Sequence, residues 1–370
     1  MKNIILTTLI IGLLTACGAK QQPPQTLKSA LAGDFYIGTA VNLEQIFGRD
    51  TAGVDIIKTQ FNAIVAENCM KSMFIQPEQG KFFFDEADKF VEFGKNNGMW
   101  ITGHCLVWHN QMPAWFLVDK NGEQVSRDTL LARIKTHITT VVSRYKGQIK
   151  GWDVVNEAIM EDGSWRQSPL YSIAGESFID SAFVWAHAAD PDAELYYNDY
   201  AMAHQGKRNG VVALVNHLKQ NEIRIDAVGM QGHAGIDHPD FAEFERSINA
   251  FAATGAKVMI TELDISILPT PNRNIGADIT AQFEYQQQMN PYPEGLPEDV
   301  DSAWNARVTE FFALFIKHKD AITRVTTWGT TDNDTWRNDW PIPGRKDYPL
   351  LFDRNYKPKP CVEKIIESAN

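Results

Sequence analysis

The sequence predicts an α/β protein built as a single (β/α)8, or TIM, barrel, with its active site at the C-terminal ends of the strands. Three observations carry this. From about residue 36, short β-branched or apolar runs alternate with helical stretches, at 36–41, 63–67, 100–104, 151–155, 194–198, 227–231, 257–262 and 325–328. The runs are close to continuously apolar, as in Lys257-Val-Met-Ile260, the pattern of a parallel strand buried on both faces. No Gly-rich dinucleotide fingerprint follows the first run, so the rival architecture, an open doubly wound sheet, lacks its usual cargo.

At the N-terminus, Lys2 precedes an apolar run from Ile4 to Leu14 that ends in Leu14-Thr15-Ala16-Cys17. A basic start, a short apolar core and small residues before a cut site describe a secretory signal over residues 1–16. The run is too short for a membrane span. The ending resembles a bacterial lipoprotein signal, which implies lipidation of Cys17 and an exported, membrane-anchored protein on the periplasmic or cell-surface face. An ordinary signal peptide that contains a cysteine is the alternative. Residues 17–30 then read as a lipidated cysteine and flexible tether, polar and proline-bearing. Residues 31–370 form the catalytic domain.

Between the strands lie amphipathic helices. The stretch 85–97 opens on Asp85 as a candidate cap and turns Phe90, Val91 and Phe93 to the core. The stretch 129–145 places Leu130, Leu131, Ile134, Ile138, Val141 and Val142 at helical spacing, and 177–188 and 209–221 read likewise. The longest irregular piece, 269–298, carries Pro269, Pro271, Pro291, Pro293 and Pro297 and falls on the active-site face. No composition shift marks a second domain. Beyond Cys17 the cysteines are Cys69, Cys105 and Cys361. Their spacing forms neither a disulfide framework nor a zinc pattern, so they read as buried free thiols, with a 69–105 bridge conceivable.

The formal net charge is −11, the wrong sign for a nucleic-acid partner. A polysaccharide of low charge is compatible with it, and the 10 tryptophans include candidates for packing on sugar rings.

Ionisable and amide side chains gather at the predicted strand ends. Glu67 and Asn68 end the second, His104, Trp108 and His109 follow the third, and Asn156 and Glu157 end the fourth. Asn198 and Asp199 end the fifth, Gln231 and His233 follow the sixth, Glu262 and Asp264 end the seventh, and Trp328 ends the eighth. Strand ends favour polar residues in general, but not this convergence from seven strands. Glu157, taken alone, is equally a helix cap. Paired with Glu262 across a barrel, it fits the two-carboxylate arrangement of glycosidases, with retention if the two groups stand about 5–5.5 Å apart. The same acids with His104 and His233 could in principle hold a metal, but the compact ligand spacing of such sites is missing. No metal or other cofactor is expected.

The segments Glu67-Asn-Cys-Met-Lys71, Gly103-His-Cys-Leu-Val-Trp-His109, Asp153-Val-Val-Asn-Glu157, Tyr197-Asn-Asp-Tyr200, Gln231-Gly-His233, Ile260-Thr-Glu-Leu-Asp264 and the Trp328–Trp336 stretch occur in this order. Together, over residues 38–360, they resemble glycoside hydrolase family 10, the barrel endo-β-1,4-xylanases. The resemblance implies a barrel that hydrolyses xylan or xylo-oligosaccharides by double displacement, as a monomer. It implies Glu157 as acid/base and Glu262 as nucleophile. Asn156 would contact the sugar 2-hydroxyl, His233 would stand beside the nucleophile, and Asp264 would orient that imidazole. Glu67, Asn68, Lys71, His104, Trp108 and Gln111 match the wall for the non-reducing-side sugars. Gln231 matches a further contact on the nucleophile side, Trp328 and Trp336 the indoles framing the centre, and Asn198 and Tyr200 positions near the acid/base and the leaving-group side. Cys105 stands where the family usually has Thr, and Ala201 where Asn often follows the motif. Read from the residues alone, Lys71 is also a plausible surface charge, Trp108 a core residue, His109 a structural histidine, and Asp153 and Asp332 structural hydrogen-bonders. A β-1,4-glucan or short xylo-oligosaccharide as substrate stays open here, as does a glycan-binding barrel without activity, although both glutamates are present.

Overall fold

The structure, a computed structural model, describes residues 25–269, 285 and 287–369. The signal at 1–16, Cys17, most of the tether and half of the 269–298 stretch lie outside the described residues.

The strands are β1 (Tyr36–Val41), β2 (Ala63–Ala66), β3 (Trp100–Trp108), β4 (Gly151–Asn156), β5 (Glu194–Asp199), β6 (Ala227–Met230), β7 (His233–Gly235), β8 (Lys257–Ser266) and β9 (Ile322–Thr327). All pair in parallel, in the order β6-β5-β4-β3-β2-β1-β9-β8-β7, and a β6–β8 pairing closes the ring. The barrel expected from the sequence is therefore present. β7 was not anticipated: it is a short continuation beyond β6 that pairs His233 with Asp264. Two strands run further than expected. β3 reaches Trp108 and β8 reaches Ser266, so both carry functional side chains up the rim rather than on the loops beyond it.

The strands are buried on both faces, β4 along its whole length and β8 everywhere after Lys257. Alternation then divides each strand between the barrel lumen and the helical shell. Two glycines make room on these faces. A Cβ at Gly151 would lie 2.0 Å from the Tyr196 hydroxyl, and one at Gly103 2.1 Å from the Trp152 ring. Both aromatic side chains are fully buried in the space those glycines leave.

The predicted helices are found at Asp85–Asn96, Arg127–Arg144, Ser177–Ala189 and Gln205–Gln220. Ser126 caps the second through the Thr129 amide at 3.2 Å. Asp85 does not cap the first. It lies inside the first turn with Glu86 and Asp88, where the negative charges favour the helix dipole.

The tether and domain boundary also need correction. Leu27–Ala30 forms a helical turn capped by Thr26, and Leu27 and Leu31 are wholly buried against the barrel. Apolar burial therefore draws residues expected to be flexible into the domain, which begins near Thr26. Cys69, Cys105 and Cys361 are buried free thiols, and burial pushes the Cys69 and Cys361 thiols up to about 12.

Candidate active site

A cleft of about 640 Å³ opens at the C-terminal ends of the strands. Glu157 follows directly on β4, with its backbone in the left-handed region at φ 58°. Its Oε2 accepts from Trp108 Nε1 at 2.9 Å and its Oε1 from Gln231 Nε2 at 3.0 Å. Glu262 sits within β8 and is 5% exposed. Its Oε1 accepts from Asn198 Nδ2 at 2.7 Å, and its Oε2 faces His233 Nε2 at 3.1 Å.

Amides join the two carboxylates. Asn198 Nδ2 also donates to Asn156 Oδ1 at 3.0 Å, while Gln231 Nε2 lies 3.4 Å from that same oxygen. Asn198 is fixed in turn by the Thr261 hydroxyl, which donates to its Oδ1 at 2.6 Å.

Behind Glu262 stands a charged chain. His233 Nδ1 lies 3.0 Å from Asp264 Oδ1, and that oxygen also accepts from Arg337 at 2.9 Å. Trp336 Nε1 donates to the other oxygen of Asp264 at 2.8 Å. Burial works against every charge in this chain, and the neighbours overcome it. Against that penalty, Arg337 and His233 hold the Asp264 carboxyl well below the usual carboxylate range. Desolvation would lower the His233 imidazole, but Asp264 and Glu262 raise it to about 9. The Glu262 carboxyl, which burial alone would raise, is held below its ordinary value by His233, His104 and Asn198. At neutral pH the chain therefore runs carboxylate, imidazolium, carboxylate, guanidinium.

The residues expected to form the glycone-side wall come together in the cleft. Glu67, Asn68, Lys71, His104, Trp108 and Gln111 all line the cleft. Lys71 is buried rather than a surface charge. It donates to Asn68 Oδ1 at 2.9 Å and stands 5.2 Å from the Trp108 ring centroid. His104 is held by Asp153 at 2.9 Å and meets Trp328 edge-on. Burial, only partly offset by Lys71, raises the Glu67 carboxyl. Asp153 and Asp332 are buried structural partners, the latter paired with Lys359 at 2.8 Å.

Two residues make contacts the expectations did not specify. Asn198 is fully buried, outside the cleft lining; its carbonyl accepts from the Glu157 amide at 2.9 Å and its side chain holds Glu262. The alternation of β5 turns it into the lumen. Gln231 reaches Glu157 with its side chain and Glu262 with its backbone carbonyl, which accepts from the Glu262 amide at 2.7 Å. Tyr200 does line the cleft, and its hydroxyl accepts from Arg166 at 2.7 Å.

Arg166, Arg337 and the far wall of the cleft were missed by sequence reasoning. That wall comprises Met202, Ala203, His204, His238, Pro239 and Phe244. Arg337 had a readable signal, since it adjoins Trp336. The others lie on loops whose approach to the barrel mouth has no periodic trace, except Phe244, which sits in the first turn of the helix Phe241–Ala253. Among the described residues no group of three or more His, Cys, Asp or Glu side chains is arranged to hold a metal ion.

The sequence profile of glycosyl hydrolase family 10 matches residues 26–368. The endo-1,4-beta-xylanase A of Xylanibacter ruminicola is 48% identical over 365 residues, covering 98% of each chain. The endo-1,4-beta-xylanase of Geobacillus stearothermophilus is 38% identical and covers 92% of this chain and 98% of its own. The solved structure of a GH10 endoxylanase from a sugarcane soil metagenome is 44% identical, with a TM-score of 0.88, over 93% of this chain and 99% of its own. An intracellular xylanase of Thermoanaerobacterium saccharolyticum, solved with xylotriose, is 33% identical with a TM-score of 0.80, over 94% of this chain and 99% of its own.

Proposed function

From the premise that this chain belongs to glycosyl hydrolase family 10, we propose that Glu157 is its acid/base and Glu262 its nucleophile. The protein is an endo-1,4-β-xylanase that hydrolyses xylan with retention. One observation supports the assignment above the rest: the asymmetry of the two carboxylates. Glu262 is buried and held ionised by an imidazolium and an amide, as an attacking group must be. Glu157 is half-buried and faces the cleft, with neutral donors on both oxygens.

In the first step a Glu262 oxygen bonds to the anomeric carbon as the bond to the glycosidic oxygen breaks. The Glu157 proton passes to that leaving oxygen. In the second step Glu157 takes a proton from water, and the water oxygen displaces Glu262 from the anomeric carbon. Asn156, with its carbonyl oxygen engaged by Asn198 and one N–H in a long contact to Glu157 Oε1 at 3.4 Å, offers its other N–H to the sugar 2-hydroxyl. Asp264 fixes His233, and His233 steadies the charge that Glu262 carries before the first step and regains in the second. Glu67, Asn68, Lys71, His104, Trp108 and Gln111 bind the glycone sugars, Trp328 and Trp336 frame the cleavage point, and Tyr200 lies on the leaving-group side.

Glu262→Gln is expected to abolish release of reducing ends from xylan while the variant still binds xylan. Full activity in that variant would overturn the assignment.

The N-terminal segment carries a separate reading, supported by the Leu14-Thr15-Ala16-Cys17 ending alone. Cys17 is lipidated and anchors a monomeric enzyme to a membrane at its periplasmic or outer face, with the short segment up to Thr26 as the tether. Labelled fatty acid fed to expressing cells is expected in the wild-type chain and absent from Cys17→Ala. Equal labelling of both contradicts it.

A further inference from the structure

We propose that Tyr197 and Arg166 are positioning residues that fix the acid/base by gripping the backbone around Glu157. The inference rests on the assignment of Glu157 made above.

Glu157 is a non-glycine residue at φ 58°, a conformation that persists only where surrounding contacts impose it. The contacts are specific. On the C-terminal side, the amides of Ala158 and Ile159 both donate to the Tyr197 hydroxyl oxygen, at 3.0 and 3.1 Å. That hydroxyl donates in turn to Asp199 Oδ2 at 2.5 Å. Lys207 Nζ donates to the other oxygen of Asp199 at 2.8 Å. Tyr197, Asp199 and Lys207 are all fully buried. On the cleft side, Arg166 Nε donates to the Glu157 carbonyl at 2.7 Å and its terminal nitrogen to the Tyr200 hydroxyl at 2.7 Å.

The alternation of β5 explains the division of labour. Asn198 points into the lumen and holds Glu262, whereas Tyr197, one residue earlier, points outward and reaches around to the turn after β4. Adjacent residues of one strand thus serve the two carboxylates. Without the phenol oxygen, the half-buried Ala158 amide loses its acceptor, the Ile159 amide keeps only Asp199 Oδ2 at 3.4 Å, and the left-handed turn loses a contact that imposes it. The Glu157 carboxyl then drifts from the leaving oxygen, while Glu262 and its partners are untouched.

This predicts a dependence on the leaving group. Cleavage between sugars needs the proton from Glu157. A dinitrophenyl β-xylobioside does not, because dinitrophenolate departs unprotonated. Tyr197→Phe and Arg166→Gln should each lose about tenfold to 10²-fold in kcat/KM on xylan. Each should keep kcat/KM on the aryl glycoside within a few-fold of wild type. Glu157→Ala, measured beside them, should show the same pattern more strongly. Equal loss on both substrates, or no loss on xylan, in the folded variants overturns the proposal. If Tyr197→Phe fails to fold, Arg166→Gln alone decides, since Arg166 is partly exposed and outside the core. If Glu157→Ala itself shows no leaving-group dependence, the fault lies in the acid/base assignment instead.

Discussion

Asp264 accepts hydrogen bonds from an indole and a guanidinium, pairs with the His233 imidazole at 3.0 Å, and is fully buried. It therefore links the nucleophile to the exposed face of the cleft, because Trp336 is 38% exposed and hangs from it. The consequence belongs to His233. Its imidazole titrates near 9 rather than near 6.5, because Asp264 and Glu262 outweigh the cost of burial. An imidazole resonance followed by NMR should therefore keep its protonated shift through neutral pH, and Asp264→Asn should move the midpoint down. A midpoint near 6.5 in the wild type would contradict the charged chain. The sign carries over to stability. A folded-state value above the unfolded one stabilises fully below pH 6.5, and that contribution disappears as pH rises through about 9. The thermal midpoint should fall over that window, and His233→Gln should fall less. Individual side chains of this kind were readable in the sequence when a strand end announced them, as with Glu157 and Glu262. Which atom each one touches was not: that the Asn198 side chain holds Glu262 and the Gln231 side chain Glu157 depends on a register that only pairing fixes.

At the scale of the element, the strands were legible because burial on both faces leaves an unbroken apolar run. Their ends were not. β3 and β8 continue through His104–Trp108 and Glu262–Ser266, where polar residues interrupt the apolar pattern while the ladder persists. The three-residue β7 has no pattern long enough to detect. Asp85 misled for a related reason, since an acid in the first turn and an acid at the cap look alike in sequence. Glycine placement offers a direct test of the packing. Gly103 admits the Trp152 ring so closely that a single added methyl would lie 2.1 Å from it. Gly103→Ala should cost about 1–3 kcal/mol of stability, seen as a lower urea midpoint with unchanged slope. Wild-type stability in that variant would mean that β3 and β4 are not packed this way.

For the whole molecule, barrel closure is what turns a set of separated motifs into one site. The β6–β8 pairing brings Gln231 and Glu262 into backbone contact, and neighbouring strands β4 and β5 bring Asn156 and Asn198 together. The two carboxylates thus share one amide network although more than a hundred residues of chain separate them. Closure also explains what stayed hidden: the far wall, from the loop at Met202 to the helix start at Phe244, comes together only once the ring is complete. The claim on which the account depends is that Glu262 forms the covalent bond to sugar. A 2-deoxy-2-fluoro xylobioside with a dinitrophenyl leaving group slows both steps but the second far more, and so accumulates the intermediate. Peptide mapping of the trapped protein should find one fluoroxylobiosyl ester, on Glu262. A label on any other residue, or prompt inactivation without a covalent adduct, would contradict it.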